Sequence, residues 1–190
     1  MQVIWDWPYT DAEYVSRRGW EQASLDGCPF HPEGGCGFCR LGTYRRVEPV
    51  GLRVARFWCP VEQRSVSLLP SFMAARLRGT LGQIEAVVAA VEAAGSVEAA
   101  VEAVLPGNAE APVGLACAVR WIRRRVRGVR EVLVALATLL PERLPVGAPT
   151  LSTVRRVLGV DRVLEEVRRL GERWLEVLAV PLGFRARAPT

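Results

Sequence analysis

The thirteen residues CPFHPEGGCGFCR, positions 28–40, hold three of the chain's five cysteines and its single histidine. Thiol and imidazole groups this dense constrain the chain more tightly than any apolar pattern. A metal ion held by four such groups ties down a stretch too rich in Gly and Pro to build a core of its own. Two pairs share a two-residue spacing, Cys28-Pro-Phe-His31 and Cys36-Gly-Phe-Cys39, and Cys59 stands apart further along.

The intervening residues supply a route by which Cys59 comes back. TYRRVE (43–48) and RVARFWC (53–59) are rich in β-branched and aromatic residues and flank Pro49-Val50-Gly51. That pattern predicts a β-hairpin, and the two ends of a hairpin lie together, so Cys59 returns towards Cys36 and Cys39. SVSLL (65–69) predicts a third short strand before Pro70. More ligands are then available than a tetrahedral ion accepts. The preferred set is Cys28, Cys36, Cys39 and Cys59, because the hairpin otherwise has no reason to end on Cys59. A compact local set of Cys28, His31, Cys36 and Cys39 is the alternative. Glu62 follows Cys59 at the spacing where a zinc ribbon usually has its second cysteine, and either it or His31 is a replacement ligand. The expected ion is Zn²⁺ in a structural role, since no open position with a general base is evident nearby. An odd number of cysteines argues against a disulfide framework.

Residues 1–27 read as an N-terminal arm carrying Trp5, Trp7, Tyr9, Tyr14 and Trp20, with one short helix over 11–22 capped by Thr10 or Asp11. Its aromatics are expected to pack on the 28–70 module. The pattern is helical from residue 71 on. Helices are predicted over 71–78, over 80–94 with Thr80 and Gln83 as a capping box and Gly95 as the stop, and over 97–105 with Ser96 as cap. Pro106-Gly107-Asn108 breaks the chain and Pro112 restarts it over 112–140. In that helix Leu115, Val119, Ile122, Val126, Val129, Leu133, Leu136 and Leu140 form one unbroken apolar stripe. Arg120, Arg124 and Arg127 fall opposite the stripe, Arg123 and Arg130 on one shoulder, Trp121 and Arg125 on the other. The stripe is read as bundling against 80–94 and 160–179 rather than as a coiled-coil dimer. A Pro-rich linker (141–150) leads to helices over 151–158 and 160–179, the latter with Val163, Val167, Leu170, Trp174 and Val177 as its apolar face, and residues 181–190 form a tail. The fold class is therefore α+β, mainly α: a zinc-ribbon-like hairpin module at 28–70, a helix-turn-helix-like domain at 71–140, and C-terminal helices at 151–180.

Half the residues are hydrophobic, which excludes a disordered tail, and no apolar run reaches the ~18 residues of a membrane span. The start lacks the basic region of a secretory signal, so a cytoplasmic location is expected. All 25 basic residues are Arg and the net charge is +5. Because the whole composition is biased towards Ala, Val, Leu, Gly and Arg, only the placement of the arginines carries meaning. Six arginines without one acid between 120 and 130 form a face suited to the phosphates of double-stranded DNA, with base edges within reach. The competing reading is a solvated face partnered by Glu85, Glu92, Glu98 and Glu102. Catalysis is not expected. The single His is a candidate ligand, Cys117 sits between alanines as core, and the glycines at 34–37 lack the Lys-Ser or Lys-Thr of a phosphate loop.

The order Cys28…Cys36-x-x-Cys39, Gly42-Thr-Tyr-Arg-Arg46, Arg56-Phe-Trp-Cys59 and Ser65-Val-Ser-Leu-Leu-Pro70 resembles the N-terminal zinc-ribbon region of bacterial insertion-sequence transposases. Gly95-Ser-Val-Glu-Ala-Ala100 and Arg120-Trp-Ile-Arg-Arg124 resemble the helix-turn-helix that follows it there. The likeness covers about residues 28–130. It departs at Glu62, where the pattern has Cys, and in the absence of an acidic-triad nuclease domain. It implies a stand-alone, mobile-element-associated protein that recognises DNA without strand transfer, its zinc ribbon bracing the fold and Arg120, Arg123, Arg124, Arg127 and Arg130 meeting duplex DNA. An adaptor or homodimerising protein that grips another protein, not nucleic acid, is the alternative.

Overall fold

A computed structural model describes residues 1–104 and 114–185. The fold is α+β and mainly α, as the sequence implies. The chain divides into two units, Met1–Met73 with Arg78–Thr80, and Ala74–Leu77 with the chain from Leu81 on.

The first unit is a four-stranded sheet in the order β1-β4-β3-β2: β1 (Gln2–Trp5), β2 (Cys39–Arg45), β3 (Arg53–Cys59) and β4 (Arg64–Pro70). The expected hairpin is β2 with β3, antiparallel, and the third strand is β4. The first strand is longer on the cysteine side than the residue pattern implied, starting at Cys39 and ending at Arg45, with an irregularity between Arg40 and Gly42. The 1–27 stretch is more than an arm. It supplies β1, which pairs in parallel with β4 from Gln2↔Ser67 to Trp5↔Pro70. Four residues show too little alternation to announce a strand, and only the partner makes it one.

Alternation places Ala55 and Phe57 of β3 and Val66 and Leu68 of β4 on one face, where they are buried with Ala23, while Val3, Trp5, Leu25, Phe30 and Phe38 close the margin. The single helix expected over 11–22 is two: α1 (Asp11–Ser16) and α2 (Gly19–Gln22). The break is at Arg18, whose φ of 51° is left-handed. Gly19 must be glycine here, since a Cβ would stand 2.4 Å from the Tyr14 ring. Thr10 caps α1 in a capping box with Glu13. Tyr14 is wholly buried, and its hydroxyl donates to the Arg53 carbonyl at 3.0 Å. Trp5, Trp7 and Trp20 surround its ring edge-on, so the aromatics do pack on the sheet module.

No helix forms over 71–78. Phe72, Met73, Ala74 and Ala75 are buried in succession, which a surface helix cannot do, and Arg76 adopts φ 54°. The second unit holds α3 (Leu81–Ala94), α4 (Val97–Val104), α5 (Leu115–Leu139), α6 (Leu151–Leu158) and α7 (Val163–Leu170). Gly95 and Ser96 end α3 and cap α4 as expected, the Ser96 hydroxyl accepting from the Ala99 amide at 3.1 Å. The breaks at Pro106-Gly107-Asn108 and Pro112 lie outside the described residues.

Helix α3 is the organiser of this unit, lying against α4, α5, α6 and α7. Two of its glutamates, one heptad apart, reach the starts of later helices. The carboxylate of Glu92 accepts from the Leu151 and Ser152 amides at 2.7 and 3.0 Å, and that of Glu85 from the Val163 and Leu164 amides at 3.2 and 3.0 Å. Each supplies from a distant element what an N-cap supplies locally.

The helix expected over 160–179 is shorter. It starts at Val163, where Glu85 caps it, and stops at Gly171, where a Cβ would lie 2.8 Å from Leu136 Cδ2. A single 3₁₀ turn, Glu172–Trp174, follows. With the periodicity lost, Val177 is exposed while Leu175, Leu178 and Leu182 are buried. The stripe on α5 buries Ile122, Val126, Val129, Leu133 and Leu136, but its first residue, Leu115, is 68% exposed.

Candidate functional site

Three segments meet at the cysteine-bearing end of the sheet. The first is a tight turn in which the His31 amide donates to the Cys28 carbonyl at 3.1 Å. The second is the bend at Cys36, followed by Gly37 with φ 68°, a conformation side chains disfavour. The third is the end of β3 at Cys59 and the turn that leads into β4. Together they bring the ligand atoms of Cys28, His31, Cys36 and Cys59 within 4.8 Å of one another, close enough to hold a metal ion. The three cysteines are buried, with Phe30 and Phe38 packed around them.

The imidazole enters the group through Nδ1, which is 3.5 Å from Cys59 Sγ and 3.7 Å from Cys28 Sγ. Its other nitrogen, Nε2, faces outwards to Glu62 Oε1 at 3.7 Å. Backbone amides also point at the sulfurs. The Glu62 amide donates to Cys59 Sγ at 3.5 Å, the Phe30 and His31 amides to Cys28, and the Phe38 amide to Cys36. Amides aimed at sulfur stabilise thiolate, the form that binds a metal. Burial pushes the Cys28 thiol up, but the hydrogen bonds from His31, the Phe30 amide and Cys36 outweigh it and bring the group down to about 7. Burial pushes the Cys36 thiol up, and its hydrogen bonds to Cys28 and Cys59 hold it there.

Of the sequence-derived candidates, then, Cys28, Cys36 and Cys59 are brought together with His31 as the fourth. Cys39 is not among them. It pairs directly with Trp58 across the β2–β3 ladder, so its side chain shares Trp58's face, opposite that of Cys59, and it is exposed. The hairpin does return Cys59 to the cluster, but alternation turns the first cysteine of the partner strand away. Glu62 stands beside the group, next to the imidazole.

The five candidate arginines of α5, Arg120, Arg123, Arg124, Arg127 and Arg130, are all exposed. Arg123 pairs with Glu98 of α4 at 2.6 Å, and Arg127 with Glu131 one turn on at 2.7 Å. Among the described residues Arg120, Arg124 and Arg130 make no ion pair. Of the acids weighed as covering partners, Glu98 is the one that meets the face, through Arg123, while Glu85 and Glu92 are taken up at the starts of α7 and α6 and the Glu102 side chain lies outside the described ones. Arg125 lies apart from this face, buried with its guanidinium 3.5 Å over the Trp121 ring. Cys117, expected in the core, is exposed. Among the described residues no helix is long and apolar enough to cross a membrane.

No family model, curated protein or solved structure matches the chain.

Proposed function

We propose that the protein is a non-catalytic binder of double-stranded DNA in which a Zn²⁺ ion at Cys28, His31, Cys36 and Cys59 braces the sheet unit and the exposed face of α5 contacts the phosphate backbone. The observation that carries this reading is the unshielded run of Arg120, Arg124 and Arg130, with Arg127, on one exposed side of a long helix. Such charges in water contribute little to stability. On a phosphate backbone they displace condensed counterions and drive association. The resemblance to the recognition region of transposases points the same way, with α4 and α5 as the helices of a helix-turn-helix and a mobile-element setting. The segment joining those helices lies outside the described residues.

Zinc suits the ligand set. Three thiolates and an imidazole form a closed four-coordinate site, the pattern of structural rather than catalytic zinc. The two unit-internal roles are separable: the ion stabilises the sheet, and the helix carries the contact.

Fluorescence-anisotropy titration against a mixed pool of duplex DNA tests the reading. Binding is expected to weaken steeply with salt, with a log–log slope of about −2.7 to −4.5 if three to five arginines each neutralise a phosphate. Absence of binding at low salt would refute it. The Arg123–Glu98 and Arg127–Glu131 pairs would then mark a face built for a protein partner or a second copy of the chain.

A further inference from the structure

Position 62 falls where the second half of a Cys-x-x-Cys knuckle starting at Cys59 would place a thiolate, yet the chain has a carboxylate there. The geometry around it is specific. The Glu62 amide donates to Cys59 Sγ at 3.5 Å, while its carboxylate faces His31 Nε2 at 3.7 Å. His31 Nδ1 lies 3.5 and 3.7 Å from two sulfurs. A tetrahedral ion with Zn–S near 2.3 Å and Zn–N near 2.05 Å sets an S···N edge of about 3.6 Å. Both Nδ1 distances match that edge, so the imidazole is already oriented as a ligand through Nδ1.

We infer that the coordination set of this chain has been shifted by one partner: His31 binds the ion through Nδ1, Glu62 is its outer-sphere partner, and Cys39 is not a ligand. The inference rests on the metal reading above and is independent of DNA binding. A ligating histidine is fixed in tautomer and ring orientation by the acceptor on its other nitrogen. With an ion on Nδ1, Nε2 would carry the ring proton on the side that faces the Glu62 carboxylate, 3.7 Å away. The negative carboxylate also makes the imidazole a stronger donor. Glu62 is thus a positioning residue, and the turn that ends β3 contributes a ligand from Cys59 and, three residues on, the amide and carboxylate of Glu62. Cys39, on the far face of β2, has no route to the ion without reversing the pleat of its strand.

The test uses the full chain, in the wild type and in Glu62→Gln, Glu62→Asp, His31→Ala and Cys39→Ser. Because the chain has one histidine, long-range ¹H–¹⁵N correlation reads the ring nitrogens of His31 without ambiguity. Zinc affinity comes from competition with a chromogenic chelator, and cobalt substitution reports the number of thiolates. The expected results are one zinc per chain, a protonated Nε2, a Cys₃His cobalt spectrum and the same spectrum in Cys39→Ser. Glu62→Gln is expected to keep one zinc but bind it about 10- to 100-fold more weakly, with Glu62→Asp recovering part of the loss and His31→Ala losing more than Glu62→Gln. Glu62 is on an exposed turn, so its two variants are expected to fold. Wild-type zinc affinity in Glu62→Gln would overturn the role of Glu62 while leaving the ion in place. Loss of the ion or a changed cobalt spectrum in Cys39→Ser would overturn the ligand set. A wild-type chain that binds no zinc would overturn both this inference and the brace it rests on.

Discussion

Replacing Glu85 with Ala removes a carboxylate that is 7% exposed and accepts three hydrogen bonds. Two come from the first amides of α7, at 3.2 and 3.0 Å, and one from the Arg155 guanidinium at 2.6 Å. The amides are buried, and the truncated side chain gives them no acceptor. Each stranded buried donor costs about 1–3 kcal/mol. Arg155 is 41% exposed on its side chain, so water takes over its charge and its share is discounted to about 0.5 kcal/mol. The expected loss is then about 2.5–6.5 kcal/mol, a large part of the roughly 5–15 kcal/mol that holds a domain together. Arg155→Ala, by the same reasoning, costs about 1 kcal/mol or less, because Glu85 keeps both amides. Urea denaturation followed by the helical circular dichroism signal measures both variants, with the midpoint shift read at constant m-value. Four of the six tryptophans lie in the first unit, so the fluorescence change follows mainly that unit and is expected to stay in place. Should Glu85→Ala lose less than about 1 kcal/mol, or no more than Arg155→Ala, the carboxylate would not be capping α7 and the argument would fail.

Gly128→Ala places a Cβ 2.8 Å from the Val180 carbonyl oxygen, a backbone atom that cannot step aside; a loss of about 1–3 kcal/mol in thermal or urea unfolding is expected, and an unchanged midpoint would contradict the packing of α5 against that strand of chain. Tyr14→Phe removes the hydroxyl that donates to the Arg53 carbonyl and is expected to cost about 1 kcal/mol in the fluorescence-detected transition. Reversing the charge of Arg120, Arg124 and Arg127 together is expected to abolish duplex binding in the anisotropy assay without lowering helical content, because all three side chains are exposed; retained affinity would place the contact elsewhere. Cys36→Ser is expected to release the zinc, measured by mass spectrometry under native conditions, and to disorder the sheet unit while helical dichroism persists.

The hairpin, the third strand, the Gly95–Ser96 break and helix α6 follow from patterns confined to a few neighbouring residues, and these were legible in the sequence. The strand and the helix bounds that the residue pattern does not give are defined by distant partners. Strand β1 exists because β4 offers it an edge, and α7 begins at Val163 because Glu85 caps it there. Gly171, the C-cap of the same helix, sits where a Cβ would meet Leu136. The cysteine cluster could be named from spacing, since spacing reports tight turns. Choosing between Cys39 and His31 needed the pairing register, because whether a strand residue faces an ion depends on a parity that one misplaced strand end reverses. The buried Arg125 follows the same logic: helical phase put it on a shoulder, and Trp121 one turn earlier gave its guanidinium a surface to lie on.

The parallel pairing of β1 with β4 has a consequence for how the chain reaches its fold. Parallel neighbours cannot form from a local turn, and the residues that join here, from Gln2↔Ser67 to Trp5↔Pro70, are separated by the entire metal-ligand region and the hairpin. Strand β1 therefore cannot dock until β4 has formed. Until β4 is in place, Val3, Ile4 and Trp5 remain an unpaired apolar edge, a template for other chains. Since β4 follows directly on the turn at Cys59 and Glu62, folding without the proposed metal ion is expected to leave this edge unpaired for longer and to favour aggregation.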